Sequence, residues 1–77
     1  MIERVVVYVE LLDEGTPVWR PSSAIKVDGN VFVLTNENHD PNTEQWSVLP
    51  GSLITIEQQQ ITDGSLGVAT KYDEFAQ

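Results

Sequence analysis

Short apolar runs separated by turn-forming residues recur along the whole chain. The first run, Glu3 to Leu12, is rich in β-branched and aromatic residues, which suit a β-strand. Alternate positions from Val5 to Leu11 are all apolar, and the opposite face, which carries Val6 and Tyr8, is largely apolar too. The pattern therefore predicts a strand that is central in its sheet or covered on both sides.

A second strand is predicted from Val18 to Val27, after a turn at residues 13–17 that contains Gly15 and Pro17. Pro21 lies inside this strand and has no backbone N–H to donate. We therefore expect the strand to be an edge strand, bulged, or broken near Pro21.

Two Asp-Gly pairs, at 28–29 and 63–64, predict tight hairpins. A two-residue turn at the first hairpin gives these facing pairs: Ile25 with Phe32 and Ala24 with Val33. At the second hairpin the predicted pairs are Ile61 with Leu66 and Gln59 with Val68. The second set mixes polar and apolar residues on one face, and a bulge or a longer turn would shift it.

The remaining segments complete an all-β pattern. Residues 36–45 are all polar or proline and predict a long loop, followed by a short strand at 46–48, strands at 53–61 and 66–72, and a tail at 73–77 that is frayed or a short helical turn. Helical spacing of apolar residues is not sustained anywhere. Five or six short strands in one domain, residues 1–77, predict a small SH3-like antiparallel barrel or half-open roll. Pro21 and the polar run Gln58 to Gln60 indicate protected sheet edges, and a second copy could add wherever one edge remains open.

Composition narrows the possible functions. The chain has 77 residues and no cysteine, so disulfides, zinc–thiolate sites and thiol nucleophiles are excluded. Its 12 acidic and 4 basic residues give a net charge of −8, which opposes binding to nucleic-acid phosphates. The longest apolar runs are too short to span a membrane, and a cytoplasmic protein is expected. A core this small gains stability from association, which makes a homo-oligomer plausible.

The polar loop is the first candidate for chemistry. Oxygen-bearing side chains recur at every second position from Asn36 to Glu44, as in a calcium loop. The calcium-loop template nevertheless fails, because Pro41 stands where it needs glycine and Ser47 where it needs a bidentate glutamate. The single histidine, His39, has no orienting acid and nucleophile in a recognisable pattern. We therefore expect a solvated loop with no metal, no cofactor and no catalytic residue.

The strongest candidate binding residues surround the first turn. Carboxylates, aromatic rings and one guanidinium group occur close together there. They belong to Tyr8, Glu10, Asp13, Trp19 and Arg20. Aromatic residues on small barrels can form grooves for extended peptides. We expect Trp19, Phe32 and Trp46 to belong mainly to the core, because large aromatic side chains supply much of a small domain's burial. Arg20 is expected to pair with Glu10 or Asp13, or to stack on a ring.

The segment Leu11-Leu12-Asp13-Glu14-Gly15-Thr16-Pro17-Val18-Trp19-Arg20-Pro21, with Trp46 and Pro50-Gly51-Ser52 further on, resembles a group of small bacterial proteins of unknown function. They share a strand ending in Leu-x-Asp/Glu-Gly followed by Val-Trp-Arg-Pro. The likeness covers about residues 7 to 56 and is of the kind found in gene-cassette products of bacterial integrons. It implies a small barrel with an adaptive role and supplies no functional residues. Ser22-Ser23 departs from the apolar residues expected after Pro21.

Three functional hypotheses follow from the sequence. The first is a small β-barrel interaction module acting through protein partners or self-association. The second is a small-molecule binding protein or enzyme whose site is built at a subunit interface around Tyr8, Glu10, Asp13 and Trp19. The third is an acidic inhibitor that presents carboxylates to a basic partner.

Overall fold

Five strands form a closed barrel in the computed structural model, which describes residues 2–73. In chain order the strands are β1 (Arg4–Glu10), β2 (Trp19–Asp28), β3 (Val31–Leu34), β4 (Leu53–Ile61) and β5 (Gly64–Lys71). Each strand pairs with the next in antiparallel fashion, and β1 meets β5 in parallel at Tyr8 and Val68. The all-β, SH3-like barrel is therefore confirmed, in its closed form. The predicted tail at 73–77 lies almost wholly outside the described residues.

The barrel interior is filled by small aliphatic side chains and one tryptophan. Val7 and Val9 of β1 are fully buried, and they lie beside residues from every other strand. The buried cluster consists of Val7, Val9, Leu11, Ala24, Leu34, Trp46, Val48, Ile54 and Ala69. Trp46 comes from the long loop and forms an isolated bridge with Leu11, so the short strand predicted at 46–48 is reduced to one bridge. The predicted core position of Trp46 is confirmed.

One face of β1 is covered and the other is not. Val7 and Val9 point into the barrel, whereas Val6 on the opposite face is 67% exposed. β1 has β2 on one side and β5 on the other, so the prediction that it is central is confirmed, and the exposure of Val6 shows that it is not covered on both sides. A single-layer barrel buries only its inner face, and nothing in the described residues packs over Val6.

Pro21 is accommodated without interrupting β2. Lys26 N donates to Glu3 O, and Leu11 N donates to Val18 O. Positions 18 and 26 of the second strand segment therefore direct their backbone groups toward β1, and so does every second position between them. The nitrogen of Pro21 faces the other side, beyond the end of β3, whose pairing with β2 runs only from Ala24 to Asp28. No strand faces the nitrogen of Pro21, so the absence of an N–H there costs the sheet no hydrogen bond.

Both predicted hairpin registers are wrong. The first hairpin turns at Gly29 and Asn30, not at Asp28 and Gly29, and a bulge lies between Lys26 and Asp28, so that Ile25 faces Val33 and Ala24 faces Leu34. The second hairpin turns at Thr62 and Asp63, and Ile61 therefore faces Gly64 while Gln59 faces Leu66. Gly64 takes φ of 140°, outside the range that residues with a side chain readily adopt.

We expect replacement of a core leucine to unfold the barrel far more readily than replacement of an exposed one. Leu34 is 1% exposed and Leu49 is 60% exposed. Leu34→Ala should lower the free energy of unfolding by about 2–5 kcal/mol, because it removes buried methyl groups and leaves a cavity. Leu49→Ala should change it by less than about 0.5 kcal/mol. Urea denaturation measures both, and equal losses would contradict the assigned core.

Candidate interaction surface

Three of the five predicted binding residues, Tyr8, Glu10 and Trp19, lie together on one face of the β1–β2 pair. Tyr8 and Glu10 of β1 lie opposite Pro21 and Trp19 of β2 in the strand register, so all four belong to the same face. Glu10 is exposed, and the rings of Tyr8 and Trp19 are half-buried. Trp19 lies outside the buried cluster, contrary to the expected core position, and its Nε1 is buried without a hydrogen-bond partner among the described residues.

The other two predicted binding residues are directed elsewhere. Asp13 sits in the turn after β1 with φ of 61°, a left-handed conformation that aspartate tolerates better than most residues. It lines an open cleft with the polar loop rather than with Trp19. Arg20 pairs with Glu44 of that loop, so the predicted pairing with Glu10 or Asp13 is wrong.

The Arg20–Glu44 pair is bidentate. Arg20 Nε lies 3.1 Å from Glu44 Oε1 and 2.9 Å from Oε2, and Arg20 Nη2 also contacts Oε2. Trp46 Nε1 donates to the same carboxylate at 3.4 Å. Hydrogen bonding from Arg20, helped by Trp46, holds the pKa of Glu44 below its usual value, and the carboxylate raises the pKa of Arg20. The pair therefore fixes the end of the loop close to the core tryptophan.

The rest of the polar loop is anchored along β2. The Ser23 hydroxyl bonds the Thr35 hydroxyl at 2.8 Å, and Ser22 Oγ donates to the Glu37 carbonyl at 2.8 Å. Asn38 Nδ2 donates to the Pro21 carbonyl at 2.9 Å. Buried hydroxyls at these two serines thus satisfy loop groups, which gives the departure from the apolar pattern after Pro21 a structural role.

The oxygen-rich side chains of the loop are used locally. Asp40 Oδ1 accepts from the Asn42 backbone at 3.1 Å, an Asx-type contact, and Glu44 is held by Arg20. The His39 ring packs edge-on against Trp46, with ring centroids 4.7 Å apart. Among residues 2–73 no group of three or more histidine, aspartate or glutamate side chains is arranged to hold a metal ion.

Open clefts lie at the surface formed by residues 2–73, and two of them contain carboxylates. The first, of about 340 Å³, is lined by Leu12, Asp13, Glu14, Pro41, Thr43, Glu44 and Gln45. The second, of about 320 Å³, is lined by Glu10, Ser47, Val48, Glu57, Gln59, Val68, Ala69, Thr70 and Lys71. Both are wide open to solvent.

A larger feature was missed by sequence reasoning. The register Arg4–Ile25–Val33–Leu53 runs across β1, β2, β3 and β4 on the outside of the barrel, and Val6 and Tyr8 follow Arg4 along the same face of β1. The five apolar residues among these, Val6, Tyr8, Ile25, Val33 and Leu53, are here called the outer apolar face. The signal for it in the sequence is the apolar character of both faces of β1, which predicts a strand that is central or covered on both sides. No helix among the described residues is long and apolar enough to span a membrane.

We expect the Arg20–Glu44 pair to stabilise the fold in a pH-dependent way. The pKa of Glu44 is lower in the folded state than the ordinary 4.5, so its contribution is present above that pH and is lost as pH falls through the folded value. Glu44→Gln should therefore lower Tm at neutral pH and have little effect in acid. Glu37→Gln, in the same loop, is the matched control for the change in charge. Equal losses of Tm at neutral and acid pH would contradict the assignment.

The chain was compared with known protein families, curated proteins and solved structures. No known protein family, curated protein or solved structure matches the chain. The resemblance to integron gene-cassette products stays a prediction.

Proposed function

We propose that the protein is a small β-barrel interaction module that binds a protein partner on the outer apolar face. One observation carries the proposal: apolar side chains from four neighbouring strands lie outside a barrel whose interior is already filled by others. Val6 is 67% exposed and Leu53 is 46% exposed, so contact with another molecule would bury both side chains further. Contiguous apolar surface of this kind is typical of protein-binding sites.

The charge of the chain favours a partner of particular chemistry. The net charge is −8, and exposed Glu10 and exposed Arg4 border the outer apolar face at opposite ends of β1. A partner that presents an apolar patch and carries a net positive charge would bury the face and complement the charge of the chain. Two copies meeting through this face would instead bring together two chains of net charge −8, which costs free energy.

The other functional hypotheses receive less support. A site for a small molecule, or an enzyme, around Tyr8, Glu10, Asp13 and Trp19 would need these residues to converge, and Asp13 lines a separate cleft. The hypothesis of an acidic inhibitor is closer to the proposal, since it also requires a basic partner. It differs because binding would then come mainly from charge pairs between exposed carboxylates and the partner, and salt would weaken those pairs.

The experiment compares variants at the centre of the outer apolar face. Purified wild type, Val6→Lys and Val6→Thr serve as bait, and any captured protein is purified and titrated against all three. Val6→Lys should weaken binding at least about tenfold, because it places a charge in the apolar contact, whereas Val6→Thr keeps the β-branched shape and most of the affinity.

Circular dichroism of the three proteins checks that the barrel remains folded. Binding should survive moderate salt if apolar burial dominates. A partner that binds Val6→Lys as tightly as wild type would contradict the outer apolar face as the site. A partner that is released completely by moderate salt would favour the acidic inhibitor.

A further inference from the structure

Strand β4 is much longer than the strand beside it. β4 spans Leu53–Ile61, whereas β3 spans Val31–Leu34 and pairs with β4 only at Leu53 and Ile54. β5 accompanies β4 over its other edge as far as Ile61. From Ile56 to Ile61, the edge of β4 that faces away from β5 has no strand partner among residues 2–73.

The backbone groups on that open edge can be identified from the register. Tyr72 N donates to Leu53 O, which makes Leu53 one of the positions bonded to β5. Bonding alternates along an antiparallel strand, so Ile56, Gln58 and Gln60 direct their N–H and C=O groups away from β5. These groups form a ready template for another strand.

The open edge also lacks the usual protection against pairing. Sheet edges are commonly blocked by proline, by lysine or by a bulge. β2 contains Pro21, Lys26 and a bulge, but Leu53 to Ile61 contains no proline or lysine, and its pairing with β5 runs without a shift. The central residues of the edge are three glutamines, whose uncharged amides can bond to one another.

Charge identifies a second copy of this chain as the occupant. The hairpin from 53 to 71 carries only Glu57, Asp63 and Lys71 as ionisable residues, a small part of the net −8. Two acidic copies therefore repel each other least where these hairpins meet. An antiparallel pair of identical strands is also self-complementary about a two-fold axis.

We propose that two copies pair through the open edges of their β4 strands, antiparallel, about a two-fold axis at Gln59. Gln58 of one copy then faces Gln60 of the other and exchanges backbone hydrogen bonds with it. Glu57 faces Ile61, so the two Glu57 carboxylates do not oppose each other. The two sheets become continuous across the dimer. This surface is distinct from the outer apolar face, so the dimer and the proposed function can fail independently.

Gln60→Pro tests the backbone pairing. The substitution removes an N–H that points to the open edge and leaves the bonds to β5 in place, while Gln60→Thr keeps the N–H and serves as the matched control. Analytical ultracentrifugation of the full chain should show a monomer–dimer equilibrium for wild type and Gln60→Thr. Gln60→Pro should raise the midpoint concentration at least about tenfold, since one backbone hydrogen bond is lost from each copy and therefore two from the symmetric dimer.

A cysteine at the proposed axis tests the register. The chain has no cysteine, and the two Gln59 positions would form a non-hydrogen-bonded pair with a Cα separation that suits a disulfide. Gln59→Cys should oxidise to a covalent dimer much faster than Val6→Cys on the outer apolar face. Faster oxidation of Val6→Cys, or a wild type that stays monomeric up to millimolar concentration, would overturn the β4 dimer. Only the former would show self-association through the outer apolar face.

Discussion

The insertion of Trp46 into an otherwise aliphatic interior is the packing interaction on which the rest of the structure depends. The strands supply mainly valine, alanine, leucine and isoleucine to the core, and β1 and β5 meet at a single pair. Trp46, 3% exposed, fills the end of the barrel beside Leu11. Its ring contacts His39, and its nitrogen reaches Glu44, which in turn holds Arg20. One core side chain thus orders a loop that composition alone predicted to be solvated.

Filling the interior in this way moves any recognition to the outside. The nine residues of the buried cluster fill the interior of the five-stranded barrel, and the two clefts described above lie at its surface, open to solvent. Val6 and Leu53 expose apolar surface on the outer apolar face, and the edge of β4 from Ile56 to Ile61 exposes unpaired backbone groups. The two surfaces differ in chemistry, because one presents apolar side chains and the other presents backbone hydrogen-bonding groups beside uncharged glutamines. That difference suits them to different partners.

The sequence was sufficient to predict the fold class because alternation and Asp-Gly turns are local signals. Register was not predictable, since it depends on a bulge at Lys26 to Asp28 and on which two residues make each of the two turns. Tyr8, Glu10 and Trp19 were correctly grouped, because neighbouring strands bring them together. The partner of Arg20 was missed because it comes from a loop whose path is set by Trp46, a contact that no spacing in the sequence encodes. The outer apolar face was visible as a pattern but was attributed to covering layers that a single barrel does not have.

The parallel meeting of β1 and β5 has a consequence for how the chain folds. Tyr8 and Val68 stand near opposite ends of the sequence, so their pairing closes a loop that contains almost the entire chain. Such a contact carries a large entropic cost until the intervening hairpins have formed. The hairpins β2–β3 and β4–β5, each joined by a tight turn, can form early, and the seam between the first and last strands closes afterwards. During synthesis on the ribosome, the edge of β1 therefore stays open until β5 has emerged.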